Sequence, residues 1–432
     1  MRQLTAICIG AGGRGRGYSN IMGESPEKFK LVGVAEPIDS ARNFMVEKFD
    51  IPSENTYHSW DEILARPKFA DIAIIATMDD MHYAPAMKAI ELGYDLLLEK
   101  PIAPSPKECI EIAQAAHEKG VKVIVCHVLR YTPFYKRVKS LIDAGTIGDV
   151  MSITALERIG NTHFSHSYVR GNWHSEKETT PMLIAKSCHD LDIIQWLIGK
   201  TCKKISSFGD LTYFKSENAP KGAPVRCFEG DCPIAKTCPY ECNKMYIESN
   251  SWFSRVPARM ISKTIIPTKD ETREALRTTD YGLCVFHANN DVLDHQTVDM
   301  LFEGNVTASF TVNAFNGGGR AIHVFGTKGE IVAEANATNI RVYDSNMQKW
   351  SDVPVIETEE SIAGGHGGGD QGIIYDLYDY ICGTYNGCSF ADISVSAANH
   401  LIGYAAEEAR HSGTVVDVDE YFKRFGIENN LK

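Results

Sequence analysis

The first 127 residues alternate short, wholly apolar runs with amphipathic ones. Leu4–Ile9, Leu31–Ala35, Ile72–Ala76, Tyr94–Glu99 and Val121–Cys126 read as strands, and Asp39–Phe49, Pro85–Leu92 and Pro106–Glu118 as the helices between them. Strands that lack polar alternation are buried on both faces, as in a parallel sheet covered by helices. Right-handed crossovers then give a doubly wound Rossmann domain. After Arg130 the rhythm changes. A helix at Phe134–Ala144 leads to a strand at Val150–Glu157, and a second helix is expected over Leu183–Leu197. Strand-like runs follow at Leu283–Phe286, Gln296–Phe302, Thr307–Val312, Ala321–Phe325, Glu330–Ala333 and Ile340–Tyr343, with turns at Glu303-Gly304 and Lys328-Gly329. The tail is helical again at Gly372–Ile381 and Val395–Arg410. The fold class is therefore α/β. A Rossmann domain is expected over 1–127, and an α+β domain with a largely antiparallel open sheet over 128–432. Residues 215–280, rich in Pro, Cys and Lys, fit neither rhythm and read as an insertion.

A chain of 432 residues is long enough for two cores. Its net charge of −12 argues against nucleic acid or an anionic membrane as partner. No run approaches the roughly 18 apolar residues of a membrane span, and the N-terminus reads as a first strand rather than a signal peptide. Twelve cysteines without an export signal read as reduced thiols or metal ligands, and a cytoplasmic location is expected.

Between the first strand and a helix continuing over Arg14–Met22 stands Gly10-Ala11-Gly12-Gly13-Arg14-Gly15. Glycine serves such a turn in three ways: chain reversal, close approach to a pyrophosphate, and tight helix–strand packing. The helix's first N–H groups then face an anion. Glu36 ends the second strand, where a carboxylate accepts hydrogen bonds from a ribose diol and repels a 2′-phosphate. NAD is favoured over NADP, although Arg42 close by leaves NADP open.

Further along come Ala76-Thr77 with His82, Glu99-Lys100-Pro101 closing the fifth strand, Arg130-Tyr131, Gly145-Thr146-Ile147-Gly148, and His189-Asp190-Leu191-Asp192. With the glycine turn, these make the chain resemble the glucose–fructose oxidoreductase, inositol dehydrogenase and rhizopine-catabolism (Gfo/Idh/MocA) family. The resemblance implies NAD-dependent hydride transfer to or from a sugar, glycoside or cyclitol hydroxyl, in a homodimer or homotetramer. Lys100 and His189 would handle the hydroxyl proton. Thr77, His82, Glu99 and Lys100 would join the glycines, Arg14 and Glu36 around the cofactor, and Arg130, Tyr131 and Asp192 would face the substrate. Many members carry an aspartate four residues before the histidine. This chain has Ala185 there, followed by Lys186, which can supply charge or substrate contact instead. Two other readings remain: a redox-neutral glycosidase or lyase acting through a transient keto-sugar, and a non-catalytic sugar or dinucleotide sensor.

Three further features carry candidate chemistry. Residues 364–370 place His366 and Asp370 in a glycine-rich loop, whose backbone can approach a ligand closely. Asp370 also suits a helix N-cap. Arg170 is a candidate substrate contact, with Tyr168 and Trp173 as stacking surfaces, and His287, Asn289, Asn290, Asp291 and His295 are further candidates. Cys227, Cys232, Cys238 and Cys242 cluster in the insertion. Such spacing allows a structural zinc or iron–sulfur cluster, disulfides, or ordinary thiols.

Overall fold

The computed structural model describes residues 2–356 and 365–429. Six strands form the first sheet: β1 (Leu4–Ile9), β2 (Phe29–Ala35), β3 (Thr56–Tyr57), β4 (Ile72–Ile75), β5 (Asp95–Leu98) and β6 (Val123–Val125). All pair in parallel, in the order β3-β2-β1-β4-β5-β6. The order reverses direction between β1 and β4, and open α/β sheets bind ligands at that switch point, beyond the carboxyl ends of their strands. One face of this sheet is covered from the far end of the chain. Ile373, Ile374, Leu377 and Tyr378 of the Gly369–Cys382 helix pack with Leu4, Ala6, Tyr18 and Phe29.

The second sheet has nine strands: β7 (Val150–Arg158), β8 (Cys202–Asp210), β9 (His295–Phe302), β10 (Thr307–Asn313), β11 (Gly319–Gly326), β12 (Gly329–Glu334), β13 (Asn339–Asp344), β14 (Lys349–Pro354) and β15 (Val416–Asp417). Their order is β14-β13-β12-β11-β7-β10-β9-β8-β15, antiparallel except for β10 beside β7. Side chains alternate between core and solvent along β9 and β10. A sheet covered on one face requires that alternation.

Two expectations are corrected. Leu283–Phe286 forms no strand, and only a single bridge joins Leu283 to Arg226. The expected Leu183–Leu197 helix is two helices, Met182–Ala185 and Cys188–Ile198, broken at Lys186-Ser187. That break matters at the site.

Candidate active site

Four glycines shape the turn after β1. At Gly10, with φ +87°, a Cβ would lie 2.5 Å from the Ala76 carbonyl oxygen, and at Gly15 one would lie 2.0 Å from the Gly10 carbonyl. Packing demands these two. A Cβ at Gly12 would meet nothing within 4 Å, and at Gly13 only the Arg259 guanidinium at 3.9 Å. The space above them is a cradle at the start of the Gly13–Gly23 helix, with that helix's free N–H groups around it. Glu36 is buried beside it and accepts bonds from the Ala11 N–H (2.6 Å) and the Ile38 N–H (2.9 Å). Cradle and carboxylate fit the pyrophosphate and ribose of a dinucleotide. Arg42 is committed elsewhere, to the Glu36 carbonyl at 2.6 Å and to Asp39.

Several residues expected at the cofactor bond to other parts of the protein. Arg14 donates to Glu99 at 2.6 Å and to both Asp370 oxygens at 2.8 Å, with its guanidinium 4.5 Å from the Tyr18 ring. It therefore joins the first helix, the Glu99-Lys100-Pro101 turn and the Gly369–Cys382 helix. Burial raises the Asp370 pKa, but the bonds from Arg14 and His366 outweigh it and hold the carboxyl below its usual range. Thr77 donates to the Met81 carbonyl at 3.0 Å, and His82 Nδ1 lies 2.7 Å from the Pro101 carbonyl.

Lys100 and His189 do meet. Because the helix breaks at Lys186, the Ala185 carbonyl is free, and it accepts the Lys100 ammonium at 2.6 Å. His189 opens the next helix and is buried, and its Nδ1 has no partner among the described residues. Burial, followed by the charges of Lys100, His127 and Arg320, pushes its pKa well below the usual 6.5. The imidazole is neutral, and one ring nitrogen is unengaged. His366 adopts φ +52°, its ring lies 6.4 Å from that of His189, and its Nδ1 is 3.0 Å from Asp370. Gly364, before it, lies outside the described residues.

Lys186 stands 3.8 Å from Glu157, and Arg320 pairs with both Glu157 and Asp190, at 2.7 Å to the latter. Burial lowers the Lys186 pKa and raises that of Glu157. The position left by Ala185 thus has a mixed ionic cluster beside it rather than a lone carboxylate.

The remaining candidates are engaged by protein partners. Arg130 and Asp192 form a buried two-point pair, with both bonds at 2.7 Å, and Tyr131 is buried against Gly372, where a Cβ would come within 2.9 Å of it. Arg170 is buried and spends its donors on the Leu283 and Tyr240 carbonyls, at 2.7 and 2.8 Å. Trp173 donates to Asp79 at 2.9 Å, and Tyr168 is buried against Phe164. Asp291 accepts from Ser175 and the Glu176 N–H, and His295 pairs with Asp294 at 2.8 Å. Among the described residues no two cysteines are joined in a disulfide. Cys242 is buried with its thiol toward the Tyr281 carbonyl, at 3.5 Å.

The sequence reading missed several residues that the fold brings to this cleft. His127, just after β6, packs edge-on to His189 at 5.9 Å, and neither of its ring nitrogens has a partner among the described residues. Trp252, from the insertion, is 65% exposed and stands edge-on to His163 at 5.2 Å. Burial, aided by Lys186, pushes the His163 pKa down to about 3. Arg259, also from the insertion, comes to the Gly13 end of the glycine turn. Only position after a strand end could have flagged His127. For the others tertiary packing is the sole signal.

Two family models match. One is described as oxidoreductase family, NAD-binding Rossmann fold, over residues 4–127, and the other as oxidoreductase family, C-terminal alpha/beta domain, over residues 139–369. The chain is 26% identical over 332 residues to the putative oxidoreductase YteT of Bacillus subtilis, covering 74% of each. It is 28% identical over 148 residues to the 2,7-anhydro-N-acetylneuraminate hydratase of Escherichia coli, covering 34% of this chain and 39% of that protein. Levoglucosan dehydrogenase in complex with NADH shares the fold, with a TM-score of 0.70 at 17% identity over 96% of this chain and 99% of that one. No described helix is long and apolar enough to cross a membrane.

Proposed function

The chain belongs to the Gfo/Idh/MocA oxidoreductase family, whose first domain binds NAD, and from that premise we propose that it transfers hydride between NAD and a hydroxyl-bearing carbon of a sugar, glycoside or cyclitol. One observation carries this reading: the Lys100 ammonium crosses from the first sheet to the Ala185 carbonyl, beside a neutral His189 with an unengaged nitrogen. The glycine cradle, Glu36 and Lys100 lie at the carboxyl end of that sheet, and there the bound nicotinamide would supply the hydride acceptor. His189 accepts the hydroxyl proton at Nδ1, which has no protein partner among the described residues; burial keeps the ring unprotonated beforehand, at the cost of a weaker base. Lys100 donates to the same substrate oxygen and offsets the negative charge that grows there. Arg42 is committed to Asp39 and to backbone, and the Glu36 carboxylate stands beside the cradle, so NAD is the preferred dinucleotide. Trp252 offers a face for a sugar ring.

Replacing Lys100 by Ala should lower kcat by about 10²- to 10⁴-fold while calorimetry shows unchanged NAD affinity. Wild-type turnover in that variant would sink the assignment.

A second reading is redox-neutral cleavage or hydration of a glycoside through a transient keto-sugar. It is favoured by the similarity to a protein named as a hydratase and by the further acid–base groups His366, His163 and Lys186 around His189. A panel of polyols and glycosides, read for both NADH and released aglycone, separates the two. Stoichiometric NADH supports the dehydrogenase, and aglycone without NADH supports the alternative.

A further inference from the structure

The insertion leaves and rejoins the second domain at one place. Cys227 N–H donates to the Gly282 carbonyl and Cys284 N–H to the Val225 carbonyl, both at 2.8 Å, around the Arg226–Leu283 bridge. This pinch brings Cys284, distant in sequence, against the insertion's own cysteines. Cys227, Cys232, Cys238 and Cys284 line one cavity, whose wall also includes Pro220, Ile234 and Phe286. Cys242 is not part of that lining. Its N–H instead donates to Cys227 Sγ at 3.4 Å, a bond that suits a sulfur carrying negative charge.

The charges around the cavity call for an anion. Arg170 reaches the same wall, is 3% exposed, and has carbonyl and thioether partners but no carboxylate among the described residues. Glu241 is the one carboxylate in the lining, and its oxygens accept from the Asn243 and Lys244 N–H groups. A buried guanidinium without a counter-ion is strongly disfavoured. Four thiolates around a metal carry net negative charge and supply what Arg170 lacks. The sulfurs are also widely spread. No three of them lie within 4.8 Å of one another, whereas zinc–sulfur bonds of about 2.3 Å place the ligands of one zinc about 3.8 Å apart.

We infer that Cys227, Cys232, Cys238 and Cys284 hold an iron–sulfur cluster that fastens the base of the insertion and neutralises Arg170. The site is independent of the hydride-transfer reading. It exchanges Cys242 for Cys284 in the ligand set that spacing alone suggested.

The test is to purify the full chain anaerobically and to measure iron, acid-labile sulfide, zinc and the visible spectrum. Equimolar iron and sulfide with a broad absorption that bleaches on reduction are expected. Cys232→Ser and Cys284→Ser should each lose about nine-tenths or more of the iron, and Cys242→Ser should keep it. One zinc per chain without iron, lost in the same two variants, would confirm the four-thiolate site and overturn the cluster. Metal-free wild-type protein whose four thiols are all alkylated under native conditions, or a disulfide among them, would overturn the site itself. The wild-type measurements stand even if a serine variant misfolds.

Discussion

With His189 as the proposed base, its titration sets the expected pH behaviour of the site. An unperturbed imidazole with a pKa near 6.5 would be about nine-tenths protonated by about pH 5.5 and would lose roughly tenfold of its capacity as a base. Burial and the neighbouring cations lower this group's pKa well below that value, so its neutral form persists as the pH falls. The log of kcat/KM should therefore stay level, within about twofold, from about pH 7.5 down to about pH 5.5. A tenfold decline centred near the ordinary histidine value would show that His189 is not the base or is not buried in the working enzyme. Lys100 and His189 were both legible in the sequence, because each stands in a short motif tied to the end of a strand or the start of a helix. Arg320, Trp252 and Arg259 were not. Each reaches the cleft only through tertiary packing, from a strand or an insertion with no local signature.

The elements around the site are joined by ion pairs that read, in the sequence, as substrate contacts. Arg130 follows β6, and Asp192 lies on the Cys188–Ile198 helix; their side chains are 5% and 1% exposed. The pair therefore fixes the helix that carries His189 against the first sheet. Removing one partner leaves a buried charge alone, which typically costs about 3–5 kcal/mol. Asp192→Ala should lower the melting temperature by several degrees, while the substrate KM of the protein that remains folded changes by less than about twofold. A large rise in KM at unchanged stability would restore the substrate-binding role. The helices and strands themselves divided along physical lines. The apolar strands of the first sheet declared themselves, because burial on both faces leaves no room for polar residues. β8 did not, since Cys202–Asp210 carries two lysines and two serines and no clean apolar alternation. The break at Lys186-Ser187 was equally silent. At the break the Ala185 carbonyl accepts the Lys100 ammonium, a tertiary contact that no local pattern announces.

At the scale of the whole molecule, the two sheets meet at a seam lined with buried histidines. His127 lies between His189 at 5.9 Å and His400 at 5.5 Å, measured ring to ring. His400 Nε2 accepts the Ile102 N–H at 3.2 Å, while its Nδ1 donates to the Ser396 carbonyl at 2.8 Å. The seam thus ties the turn after Lys100 to the Ile393–Ser412 helix through a neutral ring. Burial pushes the His400 pKa down to about 3, and those of His127 and His189 also fall below 6.5. The linkage has one sign for all three. Their folded-state pKa values lie below the unfolded value, so the unfolded chain binds more protons between the two. Their contribution is fully present above about pH 6.5 and is lost progressively as the pH falls toward the folded-state values. For His400 alone, a shift from 6.5 to about 3 corresponds to on the order of 5 kcal/mol, a large share of the marginal stability of a typical domain. Urea midpoints should therefore fall steeply between about pH 6.5 and about pH 4. His400→Gln, which keeps an acceptor near the Ile102 N–H, should be less stable at neutral pH yet show a shallower decline. A parallel decline in wild type and variant would assign the acid sensitivity to other buried groups instead, such as His127 and His189. Because the same rings border Lys100 and His189, acid should open the catalytic seam before it unfolds the outer strands of the second sheet. Hydrogen exchange at pH about 5 would then accelerate at 127–131 and 396–404 before it does at β12 and β13.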